Sequence, residues 1–201
     1  MVDFLNKIEA LEHKLALQSN PRQRLVLIDH LTAHYAFTDV SRASSLLEEQ
    51  YKILETYNYP DFKLNFYLNK AIVENHKYNF KLAEEYFLKA MEMLNDIGTV
   101  RQQAETLIDY AGICMNLNEI EKASSFLERA KKLLKNFPDE QLSVRITCRE
   151  GYINLLIGNY SKAIEYFLQA QKRIDQLDTE LYLKDYYFLT LIYRGQGKVF
   201  E

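Results

Sequence analysis

The sequence predicts an all-α solenoid, a linear stack of antiparallel helix pairs, and two observations carry this prediction. A pattern of a turn, a helix start and an alanine recurs every 40 residues, at Ala43, Ala83, Ala123 and Ala163. Between these turns, apolar residues follow the spacing of amphipathic helices, and no stretch alternates for long enough to predict a strand. A period of this length is typical of helical repeats, whose cores grow by stacking neighbouring units.

The elements follow in order from the turns. An N-terminal helix is predicted over 1–20, and Pro21 then suits the first turn of the next helix, where its missing N–H costs nothing. Asp39 is the predicted N-cap of the following helix. We expect one domain over 1–201. Its predicted repeats cover about 22–57, 61–96, 100–136 and 139–176, followed by a partial repeat at 181–201.

Composition narrows the class of protein. The chain has 201 residues, of which 48% are hydrophobic and 26% charged, with a net charge of -3 and a pI near 5.9. This balance lacks the basic footprint of a nucleic-acid-binding protein. The sequence shows no signal peptide and no apolar run of about 20 residues, so we expect a cytoplasmic protein with no membrane contact. Cys114 and Cys148 lack CxxC spacing and predict buried free thiols, with a redox switch as the alternative.

Small and aromatic residues recur in the second helix of each repeat. They are Ala163, Phe167 and Ala170 in the fourth, Ala83, Phe87 and Ala90 in the second, Ala123, Leu127 and Ala130 in the third, and Ala43, Leu47 and Gln50 in the first. Small residues let neighbouring helices approach, and the larger residue between them fills the gap. With Gly151 and the Gly158–Asn159–Tyr160 turn, this pattern resembles the tetratricopeptide repeat over roughly 22–201. The period is longer than the family's usual period of about 34 residues.

The resemblance implies a right-handed α-solenoid whose first helices line a concave groove for a peptide or a partner helix. Carrying the register over gives the candidate partner-binding residues Asn65, Asn69, Ile72, Asn75, Glu105, Asp109, Met115, Arg145, Arg149, Tyr152, Arg194 and Lys198. Asn side chains both donate and accept hydrogen bonds, so they suit a peptide backbone. Arg145 and Arg149, one turn apart, predict a two-pronged site for a carboxylate. The alternative for each residue is a solvated face or an internal salt bridge, such as Asp109 with Arg149.

Catalytic and metal sites are poorly supported. His30 and His34 have a spacing that can hold a metal, but no third ligand lies nearby in sequence, and His34 is expected in the core. Pairs such as Glu84–Glu85 lie on second helices and indicate a solvated face rather than acid–base catalysis. We therefore expect no enzyme activity, no metal and no cofactor.

Two functions remain open. The first is a scaffold that binds a protein or peptide segment, with or without an acidic part. The second is the regulatory N-terminal region of a longer bacterial signalling protein, because the openings Asn20–Pro21–Arg22 and Asp39 to Ala43 look like repeats that precede histidine kinases, nucleotide cyclases or transcription regulators. A final helix is predicted from about Leu181 with no cap before Glu201, which favours a longer chain and allows self-association through that end.

Overall fold

The computed structural model describes residues 2–176, and within them the chain forms helices joined by short turns. Pairs of these helices pack antiparallel, as the sequence predicts. Their bounds are α1 (Val2–Leu17), α2 (Pro21–Thr38), α3 (Val40–Thr56), α4 (Pro60–His76), α5 (Phe80–Ile97), α6 (Val100–Asn116), α7 (Ile120–Asn136), α8 (Glu140–Leu156) and α9 (Tyr160–Asp175). The predicted partial repeat at 181–201 lies outside the described residues.

Side-chain caps explain where several helices begin. The Asn20 side chain accepts a hydrogen bond from the Gln23 N–H, and Pro21 occupies the first position of α2. The predicted cap at Asp39 is confirmed, because its carboxylate accepts from the Arg42 N–H. Thr99 forms a capping box with Gln102 at the start of α6. Each cap satisfies backbone donors that the first helical turn leaves without a partner.

The turns inside the last three helix pairs share one backbone conformation. Tyr78, Asn118 and Gly158 stand 40 residues apart, and all have positive φ, at 63°, 61° and 78°. The N–H of the next residue then bonds back into the preceding helix, as Asn79 does with the Glu74 carbonyl at 2.9 Å. A left-handed residue therefore ends each of these first helices and aims the chain into the second.

The described residues form two compact units, unit 1 up to Ile97 and unit 2 from Gly98. In unit 1, α2 packs with α1, α3 and α4, and α4 packs with α5. Ala43 and Leu47 of α3 are buried with Phe66 and Val73 of α4 in one core cluster. Gln50 is also fully buried, although it occupies the position at which the later repeats have alanine.

In unit 2, α6 packs with α7 and α8, and α8 packs with α7 and α9. Ala163, Phe167 and Ala170 of α9 are fully buried, which confirms their predicted packing role. Gly151 of α8 shows why the close approach needs a small residue, because a Cβ there would lie 2.7 Å from Cε1 of Phe167. This contact fixes how the first and second helices of the pair cross.

Candidate functional site

The first helix of each repeat carries the candidate residues. Unit 1 and unit 2 each contain two such helices, so each unit has one face to consider. We call the polar surface of α2 and α4 face 1, and that of α6 and α8 face 2. Face 1 includes Asn65, Asn69, Ile72 and Asn75, whereas face 2 includes Glu105, Asp109, Arg145, Arg149 and Tyr152.

An ion pair crosses face 2 between equivalent positions of successive repeats. Nη1 of Arg145 lies 2.8 Å from Oε1 of Glu105, 40 residues earlier in the chain. The Arg145 side chain is only 4% exposed, whereas the Glu105 side chain is 26% exposed. Both residues were predicted for the site, and the structure brings them together. A buried guanidinium needs such a partner, so this pair joins α8 to α6.

Arg149 lies one turn further along α8, flat against α6. A Cβ built on Gly112 would meet the Arg149 guanidinium carbon at 2.7 Å and one of its terminal nitrogens at the same distance. Glycine at this position therefore leaves the room that the planar group occupies. The Arg149 side chain remains half-buried on face 2, whereas Arg145 is buried. The two arginines thus have different surroundings and do not form two equal prongs.

Tyr152 and Met115 lie deeper than the sequence suggests. The Tyr152 ring packs edge-on against Phe167 of α9, with 5.3 Å between centroids and 73° between planes. Met115 is buried, with 7% of its surface exposed. Asp109 is half-buried on α6. Face 2 therefore combines a carboxylate, a guanidinium and the remaining edge of an aromatic ring.

A carboxylate organises face 1. Asp29 of α2 accepts a hydrogen bond from Nδ2 of Asn65 and another from Nε2 of Gln50, each at 2.7 Å. Burial is the main cause that raises the pKa of Asp29 to about 7, although the two hydrogen bonds act in the opposite direction. Asn65 is thus already engaged within the array, which is the internal alternative considered for each candidate.

The other face 1 candidates are half-buried along α4. Ile72 packs partly against the cluster that contains Ala43 and Leu47. Asn69 lies about one turn beyond Asn65 on the same helix, and Asn75 lies about three turns beyond it. Their amides suit a peptide backbone, since each can donate and accept. Arg194 and Lys198, the remaining candidates, lie outside the described residues.

From the sequence, neither Asp29 nor Gln50 is assigned to the site. Asp29 stands 40 residues before Asn69, at the same repeat position as Asp109 and Arg149, so the register could have found it. Gln50 stands in the repeat pattern where the later repeats have alanine, and this exchange was the available signal. A buried polar residue in an apolar position requires a hydrogen-bond partner, and that requirement indicates Asp29.

Metal and thiol chemistry find little support in the described part of the chain. Within residues 2–176, no group of three His, Cys, Asp or Glu side chains could hold a metal ion. Cys114 and Cys148 are both buried thiols, and burial raises the pKa of Cys148 to about 12. A thiol with so high a pKa carries almost no thiolate, the reactive form, at neutral pH. None of the helices in this range is both long and apolar enough to cross a membrane.

Comparisons with known sequences give partial matches. The family model of the 26S proteasome subunit RPN7 matches residues 89–186, just under half of the chain. The protein KINESIN LIGHT CHAIN-RELATED 2 of Arabidopsis thaliana is 31% identical over 75 residues, which are 36% of this chain and 11% of that protein. The chain therefore spans only a small part of this relative.

Solved structures match nearly the whole chain. A signal transduction ATPase with numerous domains (STAND) from Pyrococcus horikoshii, with a tetratricopeptide repeat sensor, aligns with a TM-score of 0.66 and 19% identity. The alignment covers 96% of this chain and 28% of that one. BtubC (BKLC) from P. vanneervenii aligns with a TM-score of 0.65 and 15% identity, over 96% of this chain and 84% of that one. At these identities the likeness concerns the fold.

Proposed function

Because the chain has the tetratricopeptide-repeat fold, we propose that it is a non-catalytic scaffold that binds a protein segment on its first-helix faces. One observation carries the proposal. The residues of the repeat pattern are buried between helices, whereas the first helices keep half-buried polar side chains at the predicted groove positions. Such a surface offers hydrogen bonds and charge without a catalytic group, which suits an extended peptide or a partner helix.

Face 2 supports a partner with an acidic part. The Arg145 side chain is buried, whereas Arg149 is half-buried and partly accessible on face 2, so we assign Arg149 to a partner carboxylate. Its guanidinium is held against the α6 backbone by the space at Gly112, and a planar group in a fixed position can bind a carboxylate through two hydrogen bonds. Tyr152 lies near it on α8 and supplies an aromatic edge. On face 1, the amides of Asn69 and Asn75 would bind a peptide backbone.

Selection from a random peptide display library tests this assignment. The intact chain should enrich peptides that carry Asp or Glu, and Arg149→Ala should weaken their binding by about tenfold, the loss of one charge-assisted pair. Arg129→Ala is the matched control, since Arg129 is an exposed arginine on α7, away from face 2. If Arg149→Ala and Arg129→Ala bind the selected peptides equally, Arg149 does not belong to the binding site.

A second candidate function rests on one structural neighbour. The Pyrococcus protein is described as a signal transduction ATPase with a tetratricopeptide repeat sensor, and this chain covers only 28% of it. By analogy, this chain would be the regulatory part of a longer cytoplasmic signalling protein, or would self-associate through its C-terminal end. Sequencing the gene beyond the codon for Glu201 distinguishes the regulatory function from the scaffold. A catalytic or DNA-binding domain there favours the regulatory function, and a stop codon after one further helix favours the scaffold.

A further inference from the structure

Three helices of unit 1 meet at one carboxyl group. Oδ1 of Asp29 on α2 accepts from Gln50 on α3, and Oδ2 accepts from Asn65 on α4, each at 2.7 Å. Both bonds come from amide N–H groups, an arrangement that suits an ionised carboxylate, which can only accept. The cluster therefore links two first helices and the second helix between them.

The same cluster can also hold Asp29 with a proton, through a change in one hydrogen bond. Gln50 is fully buried, and its Oε1 accepts no hydrogen bond from the described residues. Its Nε2 lies 2.7 Å from Asp29 and 3.4 Å from the Phe62 carbonyl. If the amide turns over, Nε2 gives up its bond to Asp29, and Oε1, a buried acceptor that now lacks a donor, accepts the new O–H.

The charges around the cluster favour proton uptake near neutrality. Asp61 of α4 acts on Asp29 as a like charge, and Arg22 pairs with Asp61 at 2.9 Å. Two further ion pairs join the packed helices, Arg24 of α2 with Glu49 of α3 and Arg42 of α3 with Glu12 of α1. Burial and the Asp61 charge together raise the pKa of Asp29 to about 7.

We propose that Asp29 is a proton-controlled latch that determines whether the Asn65 amide is held within the array or offered to a bound protein segment. This inference rests on the proposed function of face 1. Hydrogen bonds to an ionised acceptor are roughly twice as strong as neutral ones, so ionised Asp29 holds Asn65 firmly. Protonated Asp29 donates to Gln50 and binds Asn65 weakly, so face 1 binds its partner more tightly below neutral pH.

A pH titration by NMR tests the latch on the intact chain without any partner. The side-chain amide resonances of Asn65 and Gln50 are followed from about pH 5.5 to about pH 8.5, a range that spans the Asp29 pKa. We expect both amides to shift together with one midpoint near pH 7. Asp29→Asn should abolish the transition. Resonances that stay fixed across this range, or that move equally in Asp29→Asn, overturn the proposal.

A second variant keeps the test decisive if Asp29→Asn perturbs the fold. Asp61→Asn leaves the cluster intact and removes the like charge, so the midpoint should move to lower pH. Lys63→Gln changes one charge on an exposed residue of the same helix and serves as the control. If the titration midpoint is the same in Asp61→Asn and in the wild type, the proposal is contradicted. Because no partner is present, failure here is distinct from failure to bind acidic peptides on face 2.

Discussion

Arg145 and Glu105, equivalent residues of successive repeats, form an ion pair at 2.8 Å that joins α8 to α6. The Arg145 side chain is almost completely buried, so its charge depends on the carboxylate across the helix boundary. The pair explains why one predicted binding arginine serves the packing of unit 2, whereas Arg149, one turn further along α8, stays partly accessible.

Removing one partner of this pair should be costly. We expect Arg145→Ala to lower the free energy of unfolding of unit 2 by about 2–4 kcal/mol, because it deletes buried contacts and leaves Glu105 half-buried beside an apolar gap. Urea denaturation followed by circular dichroism measures this loss. A double-mutant cycle with Glu105→Gln isolates the pair, and coupling below about 0.5 kcal/mol would show that the contact is incidental.

Two glycines of unit 2 should respond oppositely to alanine. At Gly151 the new Cβ meets the buried ring of Phe167 at 2.7 Å, and we expect Gly151→Ala to destabilise unit 2 by about 1–3 kcal/mol. At Gly112 the obstacle is the end of the flexible Arg149 side chain, which can move. Gly112→Ala should therefore keep or raise stability by up to about 1 kcal/mol, as alanine favours the helix.

The Gly112→Ala variant also separates stability from binding. Since the methyl group displaces the Arg149 guanidinium, we expect weaker binding of acidic peptides by a protein that is at least as stable. Thermal unfolding and fluorescence anisotropy with a selected peptide measure the two effects. Equal affinity of the wild type and Gly112→Ala would show that the position of Arg149 against α6 does not matter for binding.

Tyr78 is a strained position that can be relieved. Its φ is 63° and the residue is 81% exposed, whereas glycine occupies the equivalent position 158. Because a side chain costs roughly 1 kcal/mol or more in the left-handed region, we expect Tyr78→Gly to raise the stability of unit 1 by about 1 kcal/mol. The reverse change, Gly158→Ala, should lower that of unit 2 by a similar amount. Thermal unfolding of both variants checks the pair, and a loss of stability in Tyr78→Gly would contradict the assignment of strain.

Much of the fold could be predicted from the sequence, because small residues and turns at a fixed period leave few ways to stack helices. Ala163, Phe167 and Ala170 were predicted as packing residues and are buried. The candidate site was harder to predict, because the sequence shows which positions share a face but not which side chains bond to each other. The register places Glu105 and Arg145 on one face, but only the structure shows that they form an ion pair. Asn65 bonds to Asp29, which shares the register of the candidates but was not among them.

Stability should depend on pH through Asp29. Its pKa in the folded chain is about 7, above the ordinary 3.8, so folding favours the protonated carboxyl. This contribution is fully present below about pH 4 and is lost as the pH rises through 7, with an upper limit of about 4 kcal/mol. We expect Asp29→Asn to flatten the dependence of the unfolding free energy on pH between 4 and 8. If the curves of unfolding free energy against pH are parallel for the wild type and Asp29→Asn, this contribution of Asp29 is contradicted.

The central claim is that a protein segment binds to the first helices. Chemical-shift mapping of a library-selected acidic peptide onto the intact chain tests it most directly. We expect the perturbed backbone amides to cluster on face 2 around Asp109, Arg149 and Tyr152, or on face 1 around Asn69. Perturbations confined to exposed residues of the second helices, such as Leu88 of α5 and Leu168 of α9, would contradict the account.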